Sequence, residues 1–309
     1  MAAIYTEKLE KTYSYAFGNR SDTNALKGLN LEVREGETFG FLGPNGAGKT
    51  TTILLLLNLI SPSSGSARLF DSPVTDFRVH RRLGYLPESV NLHDYYTGQG
   101  LLEFYAALLE VPQATRKTRI AALLQLLRLE DAAGKSVSKY SKGMLQRLGF
   151  AQAMLHDPDL LILDEPTASL DPVGRKEFRD ILLELKRQGK TIFISSHILS
   201  EVESVCDRVA ILEKGELKRV GTLQELSTGR STRIILKDLP GVVLEALSRT
   251  AAEVTMQSGR ITVKCADTGT REVIDGLLQQ HGIQPERAEV ETQSLENIFF
   301  SAIEPPPKL

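Results

Sequence analysis

The chain has 309 residues, 41% hydrophobic and 25% charged, an ordinary balance for a globular protein and enough chain for one large domain plus a smaller one. A formal net charge of −2 gives no whole-chain electrostatic case for a nucleic-acid partner, and the densest apolar run, residues 53–60, is far short of the ~20 residues that span a bilayer. Cys206 and Cys265 lie far apart without zinc-site or redox spacing, so they read as buried, reduced thiols of a cytosolic chain, and the amino terminus has no apolar signal core.

Residues 3–42 read as strand-rich, with strands over 4–8, 26–33 and 37–42 and a polar, glycine-containing loop over 14–24. The apolar stretch Phe39-Gly40-Phe41-Leu42 then runs into Gly43-Pro44-Asn45-Gly46-Ala47-Gly48-Lys49-Thr50-Thr51, and a leucine-rich helix is expected over 50–59. Strand, tight glycine loop and helix, in that order, are the context that makes G-x-x-x-x-G-K-[ST] a phosphate-binding motif. Backbone N–H groups of the loop and first helical turn lack intrahelical acceptors, and the helix dipole adds partial positive charge there, so this motif is the candidate nucleotide site. Lys49 has the reach for the β and γ phosphates, and the Thr50 hydroxyl suits a place on Mg²⁺.

Turn chemistry at Ser61-Pro62-Ser63-Ser64-Gly65 precedes a short strand over 66–70, and between 97 and 139 the pattern turns helical. Leu101, Leu102, Tyr105, Leu108 and Leu109 share one helical face, and Ile120, Leu123, Leu124 and Leu127 share another, which reads as a small helical insert. A helix over 142–155 leads to Leu160-Leu161-Ile162-Leu163, a run typical of a parallel strand buried on both faces. An amphipathic helix over 173–188 and a strand over 191–195 complete an alternation that indicates an α/β core.

Asp164 follows the apolar run directly, so it emerges at a strand's carboxyl end, where ligands sit in open α/β sheets, placed to hold Mg²⁺ through water. Glu165 comes next and suits a general base beside a γ-phosphate. Upstream, Ser141-Lys142-Gly143-Met144-Leu145-Gln146-Arg147 opens a helix with Ser141 in the N-cap position. His80, His93, His156 and His281 have no ligand-like spacing and receive no role.

At this point the chain resembles the ATP-binding cassette (ABC) ATPases. Residues 140–147 resemble the signature motif usually written L-S-G-G-Q, Ser169-Leu170-Asp171 resembles the D-loop, and His197 the switch histidine that ends a strand. Tyr13 is similar to the aromatic that stacks on adenine, with Tyr15 as the alternative. The resemblance covers residues 1 to about 228 and implies a P-loop NTPase of the ABC type, with a mixed sheet and a helical subdomain over about 92–142. It further implies ATP and Mg²⁺ as cofactors, Glu165, His197 and Lys49 as catalytic residues, and Thr50, Glu88 and Asp164 around the metal. Ser141 and Gly143 would bind ATP held by another chain, either a second copy or a related ATPase packed head to tail. The helical insert would engage a separate transmembrane permease at the cytoplasmic face of the cell membrane, and no nucleic acid is implied.

Three positions depart from the family pattern. Glu88 stands where the Q-loop glutamine contacts Mg²⁺ and the attacking water; a glutamate keeps the oxygen ligand but loses the amide donor. Lys142 replaces the first signature glycine and Met144 replaces its glutamine, a variant similar to that of ATPases serving exporter-type permeases. A soluble ABC ATPase of DNA repair or of ribosomes is the alternative, but the long coiled coils of the first and the paired cassettes of the second are missing. A metabolic kinase or GTPase leaves the signature and His197 unexplained.

Beyond a break near 227–232, strands over 233–237, 253–256, 261–264 and 288–292 and helices over 242–248 and 271–281 give the order β-α-β-β-α-β. That order suits a small α+β, ferredoxin-like accessory domain over 229–303, with regulation or dimer support as its expected role. A last helix near 295–303 carries Ile298, Phe299 and Phe300, and Ser294-Leu295-Glu296-Asn297-Ile298-Phe299-Phe300 resembles a tail of bacterial exporter ATPases. Residues 304–309 are expected to be a disordered tail.

Overall fold

The computed structural model describes residues 1–14, 22–226, 231–237, 239–251, 253–257, 260–265, 268–291 and 295–303. Most of the expected loop after Ser14, including Tyr15, lies outside the described residues, as do residues 227–230, Ser294 and the tail 304–309. The chain divides into two compact units, Met1–Val220 and Gly221–Leu309, a division slightly ahead of the expected break at 228/229.

The first unit is built on a six-stranded sheet with the spatial order Glu216–Thr222, Arg208–Glu213, Thr38–Leu42, Thr191–Ser196, Leu160–Asp164, Leu83–Leu86. Thr38–Leu42 runs parallel to both of its neighbours and every one of its residues is buried. Burial on both faces is the reason that 39–42 and 160–163 read as unbroken apolar runs. A second, antiparallel sheet orders Thr23–Arg34, Ala2–Tyr13, Ser64–Leu69 and Ser72–Pro73. One core joins the two sheets: Ile4, Leu29 and Leu69 pack with Phe39, Phe41 and Phe193, and with Ile53 and Leu56 of the helix Lys49–Leu56. That helix touches both sheets, so its leucine-rich sequence is buried rather than amphipathic, each such side chain contributing about 1.5–3 kcal/mol. The phosphate loop is thereby clamped at both ends by core.

The helices Gly98–Leu108 and Gln113–Leu126 pack on Lys142–Met154. Thr97 caps the first helix by accepting from Gly100 N at 3.1 Å. Leu101, Leu102, Ile120, Leu123, Leu124 and Leu127 are buried, but Leu108 and Leu109 are exposed and Ala106 takes the remaining inward position. The helix ends at Leu108, and these two leucines line an open groove with Phe77 and Pro112 instead of entering the core.

Several elements lie beyond the sequence expectations. They include the strands Leu83–Leu86, Arg208–Glu213 and Glu216–Thr222 and the short helices Phe77–His80, Leu199–Val205 and Leu223–Leu226. Strands of four residues carry too little periodicity to recognise, and Glu216–Thr222 has only one buried residue and no alternation.

The second unit has the order Ser231–Lys237, Gly241–Thr250, Glu253–Gln257, Arg260–Cys265, Thr268–Gln280, Arg287–Glu291, alternating as β-α-β-β-α-β. Its sheet is antiparallel throughout, in the spatial order Glu253–Gln257, Arg260–Cys265, Ser231–Lys237, Arg287–Glu291. Ile234, Leu236, Ile261 and Val263 pack with Val243, Leu247, Ile274 and Leu278 into a core of its own. In the helix Leu295–Ile303, Leu295 and Ile298 are buried while Phe300 is 49% exposed. Both cysteines are buried, and among the described residues no helix is long and apolar enough to cross a membrane.

Candidate active site

Strands Thr38–Leu42, Leu160–Asp164 and Thr191–Ser196 are parallel, so their carboxyl ends meet at one edge of the sheet. The phosphate loop, Asp164, Glu165, Ser195 and His197 all leave the sheet there. Gly46 and Gly48 take φ of +78° and +109°, and a Cβ on Gly48 would sit 2.5 Å from the Ala25 carbonyl, so only glycine fits. A turn at Lys214 and Gly215 braces the loop from outside. Gly215 N donates to Ala47 O at 2.9 Å, while Lys27 N donates to Gly215 O at 2.9 Å.

The helix that follows has no side-chain cap and no acidic residue in its first turn. By contrast, Thr97, Ser141 and Asp171 each cap the helix they precede. An uncapped helix start beside two glycines with positive φ leaves backbone donors for an anion, which is the fit a nucleotide phosphate requires.

The side chains at this edge are already linked. Lys49 is buried; its Nζ donates to Gly43 O at 2.7 Å and lies 3.3 Å from Glu165 Oε1. Thr50 Oγ1 donates to Asp164 Oδ2 at 3.1 Å, and Ser195 Oγ donates to Asp164 Oδ1 at 2.5 Å. Burial holds the Asp164 carboxyl above the usual carboxylate range, against the hydrogen bonds from Ser195 and Thr50 that favour its ionised form. Glu165 has φ +47°, an uncommon value for a side-chain-bearing residue, and its N–H reaches both the carbonyl and the hydroxyl oxygen of Ser195 at 3.1 Å. Its Oε2 lies 2.7 Å from His197 Nδ1, and since a carboxylate only accepts, Nδ1 carries the proton in this pair.

These groups open onto a cleft of about 520 Å³ whose wall includes Tyr13, Gly46, Lys49, Glu88, Glu165 and His197. Tyr13 ends its strand at this wall, with Lys11 Nζ 5.3 Å from the ring centroid. Burial pushes the Tyr85 phenol up to about 12, with the charges of Asp164 and Glu88 adding to the shift. Asn24, Lys27 and Lys214 also line the cleft and were not singled out by sequence. Ser195 was missed as well, since a serine at a buried strand end carries no pattern of its own.

Ser141 and Gly143 are not among the residues of that cleft. They open the helix Lys142–Met154, where Ser141 Oγ accepts from Met144 N at 3.3 Å. A Cβ placed on Gly143 would lie 3.5 Å from Leu170 Cδ2, which sets the signature start beside the 169–171 segment.

No three His, Cys, Asp or Glu side chains cluster as a metal cage among the described residues. The adjacent oxygens of Thr50 and Asp164 fit Mg²⁺, which takes one or two protein ligands and completes its shell with water and phosphate.

Loop, strand-end carboxylates and uncapped helix define a P-loop nucleotide hydrolase. The chain belongs to the ATP-binding proteins of ABC transporters. The family model for ABC transporters matches residues 26–168. An ABC transporter ATP-binding protein of Nostoc is 49% identical over 75% of this chain and 70% of its own. A fluoroquinolones export ATP-binding protein of Mycobacterium tuberculosis is 38% identical over 70% of this chain and 71% of its own. Among solved structures, the ATP-binding cassette MJ0796, a dimer in a post-hydrolysis state with ADP and Pi, is 25% identical and aligns with a TM-score of 0.65 over 71% of this chain and 98% of that one. The chain is thus an ATP-binding, ATP-hydrolysing subunit of an ABC transporter.

Proposed function

We propose that two copies of the chain, or one copy and a related ATPase, close head to tail on ATP and thereby drive a separate membrane permease, in an export system. The observation that carries this reading is the separation of the two half-sites: the phosphate loop opens on a cleft that Ser141 and Gly143 do not line. A second chain's signature helix supplies what that cleft lacks. The cassette MJ0796, described as a dimer, and the relative named for fluoroquinolone export support the two parts of the reading.

Within each site, backbone N–H groups of residues 43–51 and the Lys49 ammonium bind the phosphates, and Tyr13 stacks on the base. Thr50, Asp164 and Glu88 would hold Mg²⁺, which would supply positive charge to the phosphates. Glu165 accepts a proton from the attacking water. His197 Nδ1 holds Oε2 and so leaves Oε1 for that task once Lys49 turns to phosphate. Lys142 adds positive charge at the signature helix start, in place of the family's glycine. The helical insert meets the permease at the cytoplasmic face of the membrane, and the unit from Gly221 onward supports or regulates the dimer.

Light scattering of Glu165→Gln with and without ATP tests the dimer. A dimer mass with ATP and a monomer mass without it is expected; a monomer under both conditions overturns the head-to-tail reading.

A further inference from the structure

We propose that Glu201 is a positioning residue that ties His197 to the 166–171 segment, so that the two move as one. The helix Leu199–Val205 begins two residues after His197 and carries Glu201 in its first turn. The Thr167 hydroxyl donates to Glu201 Oε2. Glu201 Oε1 faces Arg175 Nε at 3.7 Å, and the same Nε donates to the Leu170 carbonyl at 3.1 Å. One carboxylate therefore holds the segment near both ends, Thr167 directly and Leu170 through Arg175.

A parallel rung lies toward the cleft, where His197 is bonded to Glu165. Residues 165–170 and 197–201 are thus bridged twice, once by a carboxylate of the first stretch and once by a carboxylate of the second. Glu201 Oε1 is buried and makes no hydrogen bond among the described residues. A Cβ placed on Gly143 would lie 3.5 Å from Leu170 Cδ2, so the segment under Glu201 also borders the signature helix. On the head-to-tail reading, on which this last consequence rests, displacement of His197 at one nucleotide reaches the signature start that faces the other.

The test compares wild type, Glu201→Ala, Glu201→Gln and Thr167→Val, with the Thr167→Val/Glu201→Ala double variant, in the full-length chain. Melting temperature, affinity for trinitrophenyl-ATP and steady-state ATP turnover are measured on each. Glu201→Ala should lose about tenfold in kcat with nucleotide affinity within about twofold of wild type, and Glu201→Gln, which keeps one acceptor, should lose about threefold. The double variant should be no slower than Glu201→Ala alone, because both changes break one link. Unchanged kcat in Glu201→Ala overturns the proposal, as does a lower melting temperature with kcat retained, or losses that multiply in the double variant. The mass of wild type and Glu165→Gln with ATP, taken on the same preparations, reports on the head-to-tail reading separately. Its failure would confine the effect of Glu201 to one chain without changing the kcat comparison.

Discussion

His197 Nδ1 lies 2.7 Å from Glu165 Oε2, while the other oxygen of that carboxylate lies 3.3 Å from Lys49 Nζ. The carboxylate directly after Asp164 is therefore held between two cationic or proton-bearing groups on different elements. Its φ of +47° is kept by two hydrogen bonds from its own N–H to Ser195. Such over-determined backbone strain is a mark of a working position rather than of a solvated strand end.

Glu165→Gln keeps the shape and the acceptor for His197 but cannot take a proton. Phosphate release should fall by about a hundredfold or more, as expected for removal of a general base, while ATP binding persists. Turnover at the wild-type rate would remove Glu165 from that role.

Glu88 shares the cleft with Glu165, and its charge adds with that of Asp164 to the shift that burial imposes on Tyr85. If it is a metal ligand, Glu88→Ala should raise the Mg²⁺ concentration for half-maximal ATP turnover by several-fold, whereas Glu88→Gln, with an oxygen retained, should raise it less. Identical Mg²⁺ titrations for all three proteins would show that the carboxylate does not touch the metal.

His156 reports on stability rather than on catalysis. Nε2 lies 3.0 Å from the Leu83 carbonyl, and Nδ1 is buried with no hydrogen-bond partner among the described residues. Burial depresses its pKa below the ordinary 6.5, with the bond to Leu83 opposing the shift and Arg119 and Lys190 adding to it. The unfolded chain thus takes the proton first as pH falls. The contribution to stability is complete above about pH 6.5 and is lost as pH drops from there toward the depressed folded value. Between pH 7.5 and 5.5 the melting temperature of wild type should fall further than that of His156→Gln; parallel curves would contradict this.

The strongest sequence signals were those in which backbone and side-chain chemistry are local. The phosphate loop needs consecutive residues with fixed backbone tasks, so Gly46, Gly48, Lys49 and Thr50 could be assigned from spacing, as could Asp164 at the end of an apolar run. The cap at Ser141 was equally legible, since capping involves residues three apart. Partners supplied by distant strands were not. Ser195, which bonds to both Asp164 and Glu165, and Lys27 and Lys214, which wall the cleft, come together only through sheet order and the Lys214–Gly215 turn. The exposed Leu108 shows a second limit: helical periodicity names a face but not the point at which the facing helix stops.

If each ATP site is completed by another chain, two disabled chains should rescue each other when mixed. Lys49→Ala lacks a working phosphate loop and Ser141→Arg lacks a working signature helix start, so each alone should be inactive. In a head-to-tail pair of one of each, one site regains both intact halves. ATP turnover in the mixture should rise well above the sum of the two proteins measured alone; turnover no greater than that sum at every mixing ratio would show that each site is complete within one chain.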